Sequence, residues 1–138
     1  MLAGLVGEHI EQGLPFRSWN TSRLARHLRA PDAIARIARI DGRLAGFGML
    51  RSAGQESHLD LLLTLPPYRR CGVARRLLDA LCAHAVDTGA SRVTLEVRER
   101  NIGAITFYRS LGFRLKARVP DYYCGIEAAL RYERAVGV

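Results

Sequence analysis

Residues 68–76 read Tyr-Arg-Arg-Cys-Gly-Val-Ala-Arg-Arg, four arginines set around a glycine and an alanine. Where such a stretch opens a helix, the first backbone N–H groups have no partner within the helix, and with the helix dipole they form an anion site. Gly72 and Ala74 keep side chains out of the approach, while Arg69, Arg70, Arg75 and Arg76 surround it with positive charge, an arrangement suited to a diphosphate. The alternative is a solvated basic face. Neither Gly-x-x-x-x-Gly-Lys-Ser/Thr nor Gly-x-Gly-x-x-Gly occurs, which argues against the triphosphate and dinucleotide loops. A second candidate for chemistry is Glu96, in the middle of RVTLEVR at residues 92–98. A carboxylate there is costly to bury unless it is ion-paired, to Arg92 or Arg98, or put to use. A third is His58, whose imidazole belongs to the side-chain type that exchanges a proton near neutrality; the alternative is an ordinary surface histidine.

The elements that position these residues follow from periodicity and punctuation. Val73, Leu77, Leu81 and Ala85 recur every four residues, and Gly89 follows as a stop, which predicts an amphipathic helix over 72–88. Ahead of it, a strand over 57–65 ends at Pro66-Pro67. Asp41-Gly42 between two apolar runs, 33–40 and 44–50, is a hairpin signal. Residues 92–98 alternate as a strand, 101–111 form a helix ended by Gly112, and strands over 113–119 and 126–134 follow. Helical spacing at 2–14, and again from a cap at Asn20 or Thr21 to a stop at Pro31, predicts two helices at the start. The order implies an α/β fold, a mixed sheet covered by helices, in a single domain over residues 1–138.

Composition narrows the function. Hydrophobic residues make up 49% and charged residues 25%, so disordered, collagen-like and coiled-coil readings fall away. The apolar run at 59–65 is far shorter than a membrane span and is interrupted by Asp60, so no membrane association is expected. The opening residues lack the basic region of a secretory signal, which places the protein in the cytoplasm. Cys71, Cys82 and Cys124 form no Cys-x-x-Cys pair, so neither a disulfide framework nor a metal site is expected. The net charge of +8, carried almost wholly by arginine with Lys116 the single lysine, favours anionic partners.

Arg69-x-x-Gly72-x-Ala74 resembles the Gln/Arg-x-x-Gly-x-Gly/Ala motif of the GNAT superfamily of N-acetyltransferases. The likeness continues through Leu95-Glu96-Val97-Arg98, Asn101 and AITFYRSLGF at 104–113. With Asp121-Tyr122-Tyr123 and Glu127-Ala128-Ala129-Leu130 it looks like the branch acetylating N-terminal amines of ribosomal proteins and other polypeptides, and it covers residues 20–135. The resemblance implies a mostly antiparallel sheet in which two neighbouring parallel strands splay apart. It implies that the pyrophosphate of acetyl-CoA, the co-substrate, lies on Arg69, Arg70, Cys71, Gly72, Val73, Ala74 and Arg75, with the main chain of Leu62 and Thr64 bonding the pantetheine arm. Asn101 matches a cofactor-contacting position, though an Asn before a helix is equally an ordinary cap. Glu96 would be the general base, directly or through a water, and Tyr108 the proton donor to sulfur and a cofactor contact; the alternative for Tyr108 is a core tyrosine. His58 would face the amine as a second base, and Tyr122 and Tyr123, in a loop after the sixth strand, would line the acceptor entry. The family's opening strand is not recognised at the beginning of this sequence: either the start is displaced, or the sheet has lost an edge strand, and an open edge would invite pairing as a homodimer.

The function implied is an acetyl-CoA-dependent N-acetyltransferase acting on a primary amine, a protein α-amine or a small molecule. A basic nucleic-acid or ribosome-binding module that keeps the fold is the competing class. No RNP-like aromatic motif, KH loop or zinc knuckle supports it, so nucleic acid is not an expected partner.

Overall fold

The computed structural model describes residues 32–123 and 125–137. Asp41 and Gly42 both take positive φ, 52° and 78°, as a tight two-residue hairpin turn demands, and so join β1 (Ala33–Ile40) to β2 (Arg43–Ala53). β3 (Glu56–Thr64) returns antiparallel to β2, and a single 3-10 turn at Pro66–Tyr68 leads into α1 (Val73–Asp87). Then come β4 (Arg92–Arg98), α2 (Ile102–Ser110), β5 (Arg114–Tyr123) and β6 (Glu127–Ala135). The six strands form one sheet in the order β1-β2-β3-β4-β6-β5, with β3 and β4 its parallel neighbours and every other pair antiparallel. This is the mixed, mostly antiparallel sheet that the sequence predicts.

α1 lies on β1, β2 and β3, and two glycines set how closely. A Cβ on Gly46 would come within 2.7 Å of Val73 and 2.8 Å of the Leu63 carbonyl, and one on Gly48 within 2.7 Å of Leu81. The main core joins Leu78, Leu81 and Ala85 of α1 to Leu50, Leu59, Val93 and Leu95 of the sheet, and to Tyr108, Phe113 and Tyr132. A smaller cluster, Ala45, Val73 and Leu77, lies under the hairpin with Ala38, Ile40 and Tyr68.

One boundary differs. The strand expected over 113–119 continues to Tyr123, so Tyr122 and Tyr123 stand on β5 and not in a loop after it. The break signal, Pro120 followed by Asp121 at φ 57°, makes a register shift between Val119 and Tyr123 without ending the strand. β5 is an edge strand, where a proline without an N–H and an irregular rung are tolerated. The two opening helices, the missing first strand with the open edge inferred from it, and Cys124 lie outside the described residues. Among the described residues no helix is long and apolar enough to cross a membrane.

Candidate active site

β3 and β4 are paired only from Glu56 and Arg92 to Leu59 and Leu95, although β3 runs on to Thr64 and β4 to Arg98. The strands part where β3 is irregular. Leu59 opposes Leu50 and Leu61 opposes Met49, which leaves Asp60 as an extra, bulged residue. Its carboxylate is gripped by Arg51, Nε to Oδ2 at 2.6 Å and Nη2 to Oδ1 at 2.9 Å. Beyond the bulge, Leu65 N–H donates to Ala45 O at 2.9 Å, and the Leu63 carbonyl faces β2 at Gly46. Main-chain groups alternate sides along a strand, so those of Leu62 and Thr64 point away from β2, into the gap between β3 and β4.

Glu96 is the first residue of β4 past the last rung, on the face opposite the core residues Leu95 and Val97. Its Oε1 accepts the Tyr122 hydroxyl at 2.9 Å, and its Oε2 accepts Arg131 Nε at 3.1 Å and Nη2 of the same guanidinium. Burial pushes the Glu96 carboxyl up, but the bonds from Arg131 and Tyr122 and the nearby His58 outweigh it, and the group is held below the usual carboxylate range. The ion-pair partner is therefore neither Arg92 nor Arg98. Arg92 sits on Glu56 and Arg98 on Glu127, whereas Arg131 is the cross-strand partner that the β4–β6 register places opposite Glu96. That register was invisible in the sequence, and Arg131 with it.

His58 pairs with Thr94 across the parallel rungs, and its Nδ1 lies 2.8 Å from Thr94 Oγ1. Its Nε2 is 3.7 Å from Glu96 Oε1 and 3.9 Å from Asp60 Oδ1. The side chain is half-buried at the mouth of the gap and is no plain surface histidine. Thr94 and Asp60 are further site residues that sequence reasoning missed; the two-residue spacing of Thr94 to Glu96 and of His58 to Asp60 was the available signal. Tyr122 and Tyr123 meet edge to face at 5.0 Å beside Glu96. Burial, then the Glu96 charge, pushes the Tyr123 phenol up.

Tyr108, the buried residue of α2, is 8% exposed and packs edge-on against Phe113 at 5.6 Å and Phe107 at 5.2 Å. Burial pushes its phenol well up, so it keeps its proton over the whole ordinary pH range. Asn101 caps α2, its Oδ1 accepting from Ala104 N–H at 3.1 Å.

At the other end of the gap, the turn into α1 carries Arg70 at φ 65° and Gly72 at φ 75°. Arg76 N–H makes the first helical bond, to Gly72 O at 3.1 Å, so the N–H groups of Val73, Ala74 and Arg75 come before any acceptor the helix provides. A Cβ at Gly72 would meet nothing within 4 Å, and Arg69, Arg70, Arg75 and Arg76 are all exposed around this open space. Cys71 is an exposed free thiol of the same turn, with Sγ 3.7 Å from Arg69 O; Val73 is 5% exposed and packs with Ala45 and Leu77. Among the described residues no three His, Cys, Asp or Glu side chains group as a metal site. The arrangement offers an anion turn, a strand with outward main-chain groups, and a charged cluster at the mouth of one gap.

Comparison with known proteins bears on the fold and the family. An uncharacterized N-acetyltransferase of Mycobacterium tuberculosis is 37% identical over 97 residues, 70% of this chain and 62% of that protein, so the chain spans less than two thirds of that relative's length. An N-alpha-acetyltransferase of Sulfurisphaera tokodaii is 30% identical over 116 residues, 75% of this chain and 70% of that one. The crystal structure of the ribosomal-protein-S18-alanine N-acetyltransferase of Escherichia coli superposes with a TM-score of 0.85 at 25% identity, covering 99% of this chain and 86% of that one. The model of the acetyltransferase (GNAT) family matches residues 7–113, and the chain belongs to that family.

Proposed function

We propose that this chain transfers an acetyl group from acetyl-CoA to a primary amine, and that the amine is the N-terminal α-amine of a polypeptide. The observation that carries the proposal is the splay of β3 from β4, with the open arginine-ringed turn at one end and the Glu96–His58 cluster at its mouth. The residues fit the co-substrate: N–H groups of residues 72–75 and Arg69, Arg70, Arg75 and Arg76 suit a diphosphate, and the outward main chain of Leu62 and Thr64 can pair with an amide-bearing arm as a further strand would. Acetyl-CoA supplies the thioester. Glu96 is the charge toward which the amine's proton moves, and Tyr108, kept neutral by burial, is the acid for the departing sulfur. Tyr122 and Tyr123 line the acceptor side, and Asn101, besides capping α2, borders the co-substrate. The polypeptide α-amine is favoured because the Sulfurisphaera relative is by name an N-alpha-acetyltransferase and the Escherichia one acts by name on an alanine of ribosomal protein S18. The same reading takes residues 1–138 as one cytoplasmic domain, paired as a homodimer if its sheet edge is open.

Thermal shift with acetyl-CoA, followed by thiol release over a panel of peptides and small amines, tests the proposal. A hundredfold excess over Kd stabilises by about 2.7 kcal/mol, a readily measured shift. Glu96→Gln should lower turnover by about 10²- to 10⁴-fold with acetyl-CoA affinity unchanged. No shift with acetyl-CoA sinks the activity. Release confined to small amines or aminoglycosides sinks the polypeptide acceptor alone.

A further inference from the structure

We infer that the atom taking the acceptor's proton is Nε2 of His58, with Thr94 holding the ring and the carboxylates of Glu96 and Asp60 stabilising the imidazolium that forms. This rests on the acetyl-transfer reading above and names the group through which the proton leaves. Glu96 is poorly placed to take it directly. Both of its oxygens already accept bonds, one from Tyr122 and one from Arg131, and a new proton would compete with them. Those bonds also hold it below the usual carboxylate range, which makes it a weak base.

His58 has the complementary arrangement. Thr94 Oγ1 lies 3.5 Å from Glu56 Oε1 and 2.8 Å from His58 Nδ1. With the hydroxyl proton directed to Glu56, Oγ1 accepts Nδ1–H, which leaves the lone pair on Nε2. Two carboxylate oxygens then stand 3.7 and 3.9 Å from that nitrogen. Among the described residues, the charged and titratable groups around His58 are thus Asp60 on its own strand, with Arg51 of β2 behind it, Glu96 of β4, with Arg131 of β6 and Tyr122 and Tyr123 of β5 behind it, and Glu56 behind Thr94. His58 stands one rung before the strands part, and 26% of its side chain is exposed, so an incoming amine can reach it.

The protons balance. The acceptor arrives as an ammonium and gives one proton to Nε2. The freed lone pair forms the C–N bond, the C–S bond breaks, and a second proton leaves the nitrogen for solvent. The sulfur takes the Tyr108 proton, Tyr108 is reprotonated from solvent, and the imidazolium releases its proton there, for a net release of one proton per amide formed.

Two measurements on the full chain test this. In ¹⁵N NMR of the free protein, the deprotonated His58 ring should be the Nδ1–H tautomer, and Thr94→Val should abolish that preference; a dominant Nε2–H tautomer in the wild type overturns the assignment and needs no acceptor to be known. With an amine from the thiol-release panel, His58→Gln should lose at least 10²-fold in kcat/KM and flatten the acidic limb of its pH profile. Glu96→Gln should keep that limb. An unchanged acidic limb in His58→Gln, or its loss only in Glu96→Gln, returns the role to Glu96. Binding of acetyl-CoA by His58→Gln, followed by thermal shift, separates failure of this assignment from failure of the acetyl-transfer reading.

Discussion

At the scale of single residues, environment separates the two groups to which different tasks are proposed. Tyr108 has lost water on nearly every side, so its phenol stays neutral, whereas Glu96 keeps its charge because an arginine and a tyrosine hydroxyl bind it. Tyr108→Phe should therefore lower turnover by about 10²-fold or more without changing the pH profile below about pH 10, the ordinary phenol value. Melting and stopped assays over pH 5–10 check this. Unchanged turnover with a lowered melting point would make Tyr108 a core tyrosine only.

At the scale of elements, glycines and one carboxylate decide how pieces meet. α1 can lie on β2 only because Gly46 has no side chain, so Gly46→Ala should cost about 1–3 kcal/mol, read as a lower urea midpoint with an unchanged slope. Gly72 is different: space around it is open and the constraint is φ 75°, so Gly72→Glu should fold with a loss of about 1–2 kcal/mol. It should nonetheless lose acetyl-CoA binding, because a negative side chain then occupies the anion turn; titration by calorimetry decides, and retained affinity would move the diphosphate elsewhere. Glu127 ties β6 to the start of the α2 connection, accepting Arg98 Nε at 2.8 Å and Arg100 N–H at 3.0 Å. Burial pushes its carboxyl up, and these bonds more than offset that, leaving it lowered. A carboxylate lowered in the folded state stabilises the fold above its unfolded value of about 4.3, and that contribution is lost as pH falls through the lower folded value. Glu127→Gln should thus melt earlier than wild type at pH 7 and show a smaller drop in melting temperature on acidification below about pH 4.

At the scale of the whole molecule, charge is unevenly matched. Around the β4–β6 end the cations are paired, Arg51 with Asp60, Arg92 with Glu56, Arg98 with Glu127, Arg118 with Glu99, and Arg131 with Glu96. Around the turn into α1, Arg69, Arg70, Arg75 and Arg76 are exposed and carry no carboxylate partner among the described residues. The turn where a diphosphate would dock therefore adds four exposed cations to the chain's net charge of +8. Raising salt from 0.05 to 0.5 M should weaken acetyl-CoA binding several-fold, since the screening length falls from about 14 Å to about 4 Å over that range. Salt-independent affinity would show that backbone N–H groups carry the binding and the arginines do not.

The amino-acid sequence by itself determined every strand and helix of the described residues to within a few positions, because each is written in local periodicity and punctuation: the four-residue repeat of α1, Asp41-Gly42 at the hairpin, Pro66-Pro67 after β3. It also marked the helix start that is the candidate anion turn, because Arg69-x-x-Gly72-x-Ala74 is contiguous and its geometry is that of one helix start. What only the tertiary structure decided is who stands opposite whom. Glu96 lies 35 residues from Arg131 and 26 from Tyr122, and His58 lies 36 from Thr94. Those meetings depend on strand order and register across β3, β4, β6 and β5, which burial of one sheet face against α1 and α2 selects. Arg92 and Arg98, the ion-pair alternatives the sequence offered for Glu96, stand on the same face of β4, four and two residues away. Both were claimed by carboxylates of β3 and β6, because a cross-strand neighbour stands about 5 Å away while the next residue on the same face of the strand is nearly 7 Å off.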